Sequence, residues 1–133
     1  MQDKLFKLDK NIDFINDILK DSDEQILKDA PRYNGLEHIL QISIQTILNI
    51  SAHILAENFK ENPGSYQEVI TSLGKHDIVP ADFASKQTEM AKFRNFLVHN
   101  YDLVDQKKVL EYAKTAPEIF KVFGKVFREF IKQ

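Results

Sequence analysis

Cysteine is absent from the 133 residues, which excludes a disulfide scaffold and any thiolate metal site. Glycine and proline number only four each. Most of them fall between periodic segments, as in a helix bundle with short connections. No stretch alternates apolar and polar residues over a useful length, so no sheet is predicted. Internal repeats and low-complexity tracts are missing. So are a glycine-rich phosphate loop, a G-x-S-x-G elbow and an H-E-x-x-H zinc signature. Apolar runs are interrupted every few residues, so no membrane span is expected. The opening Met1–Lys7 is charged and lacks the apolar centre of a signal peptide. A cytoplasmic protein follows as the expectation.

An excess of one charge is lacking too. The net charge is -2, which argues against a general nucleic-acid coat, because neutralising phosphates drives non-specific affinity. A local basic site stays open. Lys86, Lys92, Arg94, Lys107 and Lys108 fall in one stretch of chain, although a charge run is ordinarily a solvated face.

What is present suits one folded domain over residues 1–133: 43% hydrophobic residues for a core and 29% charged residues for a surface. Leu5, Leu8, Ile12, Ile15 and Leu19 step by threes and fours, which predicts one apolar stripe on a first helix. Asp21-Ser22-Asp23 interrupts or ends it, and Ala30-Pro31 breaks the chain again. A second helix is predicted from about Tyr33 to Phe59. Its apolar face is broad enough to imply neighbours on more than one side. Asn62-Pro63-Gly64 stops it, and Ser65 can cap a short third helix ending near Gly74. A fourth begins at Val79-Pro80-Ala81-Asp82 and reads through Leu97 and Val98 to Asn100, a residue suited to a left-handed helix end. A fifth runs from near Asp105 to the C-terminus, with Pro117 expected to kink or divide it. Its aromatic stripe reads as core or interface packing. The expectation is an all-α, up-and-down bundle of four to five helices.

Residues 90–101 stand out chemically. They hold one of three arginines and one of four histidines. Arg94 and His99 are separated by ~7.5 Å along a helix axis and ~140° in azimuth. They converge on one ligand only if the helix ends before His99, or if a second copy brings its own pair across a symmetry axis. An arginine offers phosphate a permanently charged donor fork. A histidine can take a proton from a ribose 2′-hydroxyl or give one to a leaving oxygen. No metal or other cofactor is then required. A surface ion pair and a helix cap would explain the same two residues. His38, His53 and His76 show no metal-ligand spacing, and His53 reads as a partly buried structural residue.

Arg94 to Tyr101 reads R-N-F-L-V-H-N-Y, which resembles the R-x-x-x-x-H-x-Y motif of HEPN-domain proteins. More closely, it resembles the HepT-like ribonuclease toxins that pair with minimal nucleotidyltransferase antitoxins. The segment Gln45–Ile54 and the Asn62–Tyr66 turn fit the same family. The resemblance implies a HEPN-like bundle that forms a homodimer, with a composite cleft at the dimer interface. It implies metal-independent cleavage of RNA and a nucleotidyltransferase antitoxin as partner. By position, Arg94 would hold the scissile phosphate and His99 would be the general base or acid. Asn95 would orient the phosphate or His99. Tyr101 would line the cleft and accept AMP from the partner enzyme. One position departs from the pattern. Asn49 stands where many relatives carry aspartate in the second helix, which removes a charged partner expected for Arg94. The alternative is a non-catalytic nucleotide- or substrate-binding partner of a nucleotidyltransferase. A third reading has the motif only closing the dimer.

Overall fold

The computed structural model describes residues 1–99 and 105–132. Among these residues there are six helices and no strand: α1 (Gln2–Ile18), α2 (Asp23–Lys28), α3 (Ala30–Phe59), α4 (Tyr66–Lys75), α5 (Ala81–His99) and α6 (Gln106–Ile131). The all-α class expected from the periodicity is what forms, with one helix more than the five predicted segments. The extra helix is α2. Its signal is a capping box: Ser22 Oγ accepts from Gln25 N at 3.2 Å, and Gln25 Oε1 accepts from Ser22 N at 3.0 Å. Reciprocal caps of this kind satisfy two otherwise unpaired amides and start a helix where Asp21-Ser22-Asp23 looked like an interruption.

Two prolines lie inside helices. Pro31 lies in the first turn of α3, where its missing N–H costs nothing. The helix therefore starts at Ala30 instead of Tyr33, with Asp29 Oδ1 capping Arg32 N at 3.2 Å. Pro117 neither divides nor ends α6, which is one helix from Gln106 to Ile131. An interior proline costs about 3 kcal/mol. Here it is buried beside Ala113, Ala116 and Phe120. The fully buried Phe120, Phe123 and Phe127 supply apolar burial at about 1.5–3 kcal/mol each, enough to offset that cost.

α3 is the axis of the bundle and packs against every other helix. Leu36, Leu40, Ile44, Ile47, Leu48, Ile50, Ile54 and Leu55 are all buried along it. By length and composition α3 could cross a bilayer, but half of its most apolar stretch is packed inside the bundle. The remaining helices cover it with single stripes, such as Leu5, Leu8, Ile12, Ile15 and Ile18 of α1. Ile18, not Leu19, closes that stripe, because Leu19 has become the C-cap.

The connections next to the candidate site are tightly made. α3 ends at Lys60 in the left-handed conformation (φ 56°). Ser65 caps α4 through Glu68 N at 3.2 Å. His76 Nε2 meets Glu61 Oε1 at 2.7 Å and stacks on Phe59, with ring centroids 4.0 Å apart. This hydrogen bond holds the Glu61 carboxyl below its ordinary pKa. It also ties the end of α3 to the end of α4. α4 and α5 then pack closely at Gly74, where an added Cβ would sit 2.7 Å from Ala84 Cβ and 3.3 Å from Ala81 Cα. Gly74→Ala is expected to lower the unfolding free energy by about 1–3 kcal/mol through overpacking. Urea denaturation reads this directly, and an unchanged midpoint would contradict so close an approach of α4 and α5.

Candidate active site

Three helices build the site. α5 is fixed from behind, where Met90 and Leu97 are buried and Phe93 stacks on Tyr112 of α6 (centroids 4.2 Å apart, 8° between planes). The Tyr112 hydroxyl is buried without a hydrogen-bond partner among the described residues, and burial pushes its pKa upward. With that face of α5 anchored, Arg94 leaves the helix toward α3 and α4, half-buried.

Its guanidinium is held on three sides. Nε donates to Gln45 Oε1 of α3 at 2.9 Å. Nη1 donates to the neighbouring Asn95 Oδ1 at 3.2 Å. The Tyr66 ring, at the first position of α4, lies 5.1 Å from the guanidinium carbon, within cation–π range. Gln45 is the hub. While its carbonyl takes Arg94, its amide donates to Asn49 Oδ1 at 2.9 Å and to Tyr66 Oη at 3.2 Å. Arginine has only donors, so a flipped carboxamide would set N–H against N–H. The amide orientation is therefore fixed by chemistry.

Gln45 also bears on the Asn49 departure. Asn49 binds Gln45 and no bond joins it to Arg94 among the described residues. Gln45 is neutral, and among the described residues no carboxylate pairs with Arg94. Among the described residues the guanidinium is thus oriented without being neutralised. Among the described residues no hydrogen bond occupies its Nη2.

His99 is the last residue of α5 and is exposed. Because the helix runs through His99, it does not end early enough to swing the imidazole toward Arg94. In one chain the two side chains leave the helix ~140° apart. Asn95 lies between them: exposed, bonded to Arg94 through Oδ1, and one turn before His99 on the same face. Tyr101, the fourth motif residue, lies outside the described residues, as does Asn100. His53 is exposed, not partly buried, because it lies between the inward-facing Ile50, Ser51, Ile54 and Leu55 and points away from the bundle. His38 is exposed as well, and His76 serves the Glu61 tie.

Gln45 and Tyr66 were not singled out individually from the sequence. A signal exists for the first: Gln45 and Asn49 are polar residues four apart on a helix that is otherwise strongly apolar. Tyr66 gave none beyond its place after the Ser65 cap.

The arrangement is that of a HEPN-type helical bundle with an arginine–histidine motif on its penultimate helix. The family model described as Ribonuclease HepT-like matches residues 8–127, and the chain belongs to that family. Among curated proteins, it is 25% identical over 95 residues to the tRNA nuclease HepT of Aphanizomenon flos-aquae, covering 71% of this chain and 65% of that protein. Among solved structures, it superposes on the tri-AMPylated Shewanella oneidensis HEPN toxin in complex with MNT antitoxin. The TM-score is 0.85 at 20% identity, over 96% of this chain and 95% of that one. A toxin–antitoxin structure with AMP-PNP gives a TM-score of 0.80 at 20% identity, over 94% and 95%. At these identities the structural likenesses establish the fold.

If Gln45 orients Arg94, Gln45→Leu should cost about 1–2 kcal/mol of stability, since hydrogen bonds to charged groups contribute more than neutral ones. In a double-mutant cycle with Arg94→Met, the coupling should be on the order of 1 kcal/mol. Additive effects would show that the bond is incidental.

Proposed function

We propose that this chain is the ribonuclease toxin of a toxin–antitoxin pair, a metal-independent endoribonuclease whose site is completed by a second copy and silenced by a nucleotidyltransferase antitoxin. The observation that carries the reading is the state of Arg94: aimed by Gln45, stacked on Tyr66, uncompensated by any carboxylate among the described residues. A buried or half-buried cation kept unpaired is costly unless an anion visits it. A scissile phosphate is such an anion, and the Nη edge presents the donors for its non-bridging oxygens.

The chemistry then needs a base and an acid. His99 of one copy takes the proton of the ribose 2′-hydroxyl. The 2′-oxygen attacks phosphorus, and the bond to the 5′-oxygen breaks. The second copy's His99 gives that oxygen its proton. A 2′,3′-cyclic phosphate and a 5′-hydroxyl are left, with protons balanced. Arg94 stabilises the charge that develops on phosphate in between. The ~140° divergence within one chain favours this division of labour between copies. Asn95, bonded to Arg94 and one turn from His99, keeps the two in register.

Membership of the HepT-like family and the curated tRNA nuclease among its relatives support RNA as substrate, with tRNA the first to try. The AMPylated toxin–antitoxin complex among its structural neighbours supports Tyr101 as the acceptor of AMP, two residues beyond His99. An anion attached there would compete with RNA phosphate for Arg94. Asn49 in place of a carboxylate and the net charge of -2 favour a second reading, in which the cleft binds nucleotide and does not cleave.

The test is cleavage of tRNA by the purified chain in excess EDTA. Undiminished cleavage is expected, falling by about 10²–10⁴-fold in His99→Ala and by a comparable factor in Arg94→Ala. Intact RNA with a folded dimer confirmed by sedimentation would remove the nuclease, and nucleotide binding by calorimetry in that same sample would favour the second reading.

A further inference from the structure

A second basic surface adjoins the site through Asn49. Between α1 and α3 runs a groove of about 450 Å³ lined by Lys4, Lys7, Lys10, Asn11, Ile42, Thr46 and Asn49. Three of its lining residues are lysines and none is acidic. That is unusual in a chain of net charge -2. Four lysines outside the groove pair with acids, Lys20–Asp17, Lys28–Glu24, Lys92–Glu89 and Lys114–Asp23. Among the described residues the others outside it do not, so it is the clustering of three lysines in one lining that marks the groove. Among the described residues Lys4, Lys7 and Lys10 form no ion pair. Lys10 Nζ rests 5.3 Å from the Phe6 ring centroid. Asp9 and Asp13 leave α1 on the side away from Lys4 and Lys7, and Asp9 is taken by Arg128 of α6. Asp3, one turn before Lys7, is the acid of α1 on the lysine side, outside the groove lining.

The groove and the candidate site share one residue. Asn49 Oδ1 accepts from Gln45, which leaves its amide N–H donors for whatever lies in the groove. From Arg94 the path runs through Gln45 to Asn49, two hydrogen bonds of 2.9 Å each.

Resting on the nuclease reading above, we propose that the α1/α3 groove is a substrate track, in which Lys4 and Lys7 bind backbone phosphates of the RNA strand flanking the one held by Arg94. Thr46, Asn11 and Asn49 offer neutral hydrogen bonds to the same sugar–phosphate backbone, and Ile42 an apolar contact to a sugar or base. Charge complementarity selects a polyanion. Continuity with Arg94 selects the one that Arg94 itself holds. A second copy seated in this groove would bring the same lysines with it and find no acid in the lining to pair with them.

The experiment measures binding of a 2′-O-methyl oligoribonucleotide, which cannot be cleaved through its 2′-oxygen, by fluorescence anisotropy at several salt concentrations. Each phosphate contact on a single strand contributes ~0.7 to the slope of log K against log salt. Lys4→Glu combined with Lys7→Glu should therefore weaken binding at least about tenfold and reduce the slope by ~1.4. The protein should melt as the parent does, because both residues are exposed. Lys121→Glu with Lys125→Glu changes net charge equally on the exposed face of α6 and should leave the slope unchanged. The proposal is overturned if both pairs act alike, or if the groove pair leaves the slope intact in a protein that still cleaves tRNA. It also fails if the groove pair changes the sedimentation mass, or if polyglutamate competes as well as RNA of equal charge. A parent that neither binds nor cleaves RNA would remove the nuclease reading and this track together.

Discussion

The carboxamide of Gln45 is the interaction on which the rest of the site depends. It joins α3 to α5 by accepting from Arg94, and α3 to α4 by donating to Tyr66. A carboxylate at the same place would also orient the guanidinium, but it would satisfy its charge and compete with phosphate. An aliphatic residue would leave the charge free and unaimed. Only a neutral side chain with an acceptor at one side and donors at the other does both jobs. The electrostatics of the cleft follow. Among the described residues no carboxylate offsets Arg94 in its half-buried position, where an anion would be screened less than at an open surface.

The scaffold explains why that geometry holds. Gln45 is placed by the most deeply packed helix in the molecule, and Arg94 by a helix pinned through the Phe93–Tyr112 stack. Tyr66 is positioned by a short helix whose start is capped by Ser65 and whose end abuts α5 at Gly74. The same rigidity keeps His99 away from Arg94 within one chain. A straight helix cannot turn residues five apart onto one face. On the proposed function, each chain then supplies only half of a phosphodiester site, because α5 remains helical through His99.

Much of the architecture was legible because helical periodicity is a repeated signal: every buried stripe contributes several residues, so an error at one position, such as Leu19 for Ile18, does not change the helix. The failures were at single residues whose meaning depends on context. Ser22 and Gln25 form a capping box that starts α2, yet either alone reads as a break. Pro31 reads as a break, and the break falls just before it at Asp29, with the proline inside the first turn of α3 where it needs no hydrogen bond. Pro117 reads as a kink or a division, and α6 is not divided there. In the candidate site, Arg94, Asn95 and His99 were visible as a contiguous motif. Gln45 and Tyr66 lie 49 and 28 positions upstream of Arg94, and such partnerships are made by tertiary packing that no local pattern encodes. Asn49 is legible as a departure that removes a charged partner for Arg94; its bond to Gln45 is not, because that contact is made only by the folded helix.

On the proposed function, the Gln45-held guanidinium is the seat of a backbone phosphate. A crystal structure of the chain with a 2′-O-methyl oligoribonucleotide tests this. A backbone phosphate should sit against the Nη nitrogens of Arg94 with the Nε bond to Gln45 retained. An RNA strand bound elsewhere, or Arg94 turned away from both Gln45 and phosphate, would contradict it.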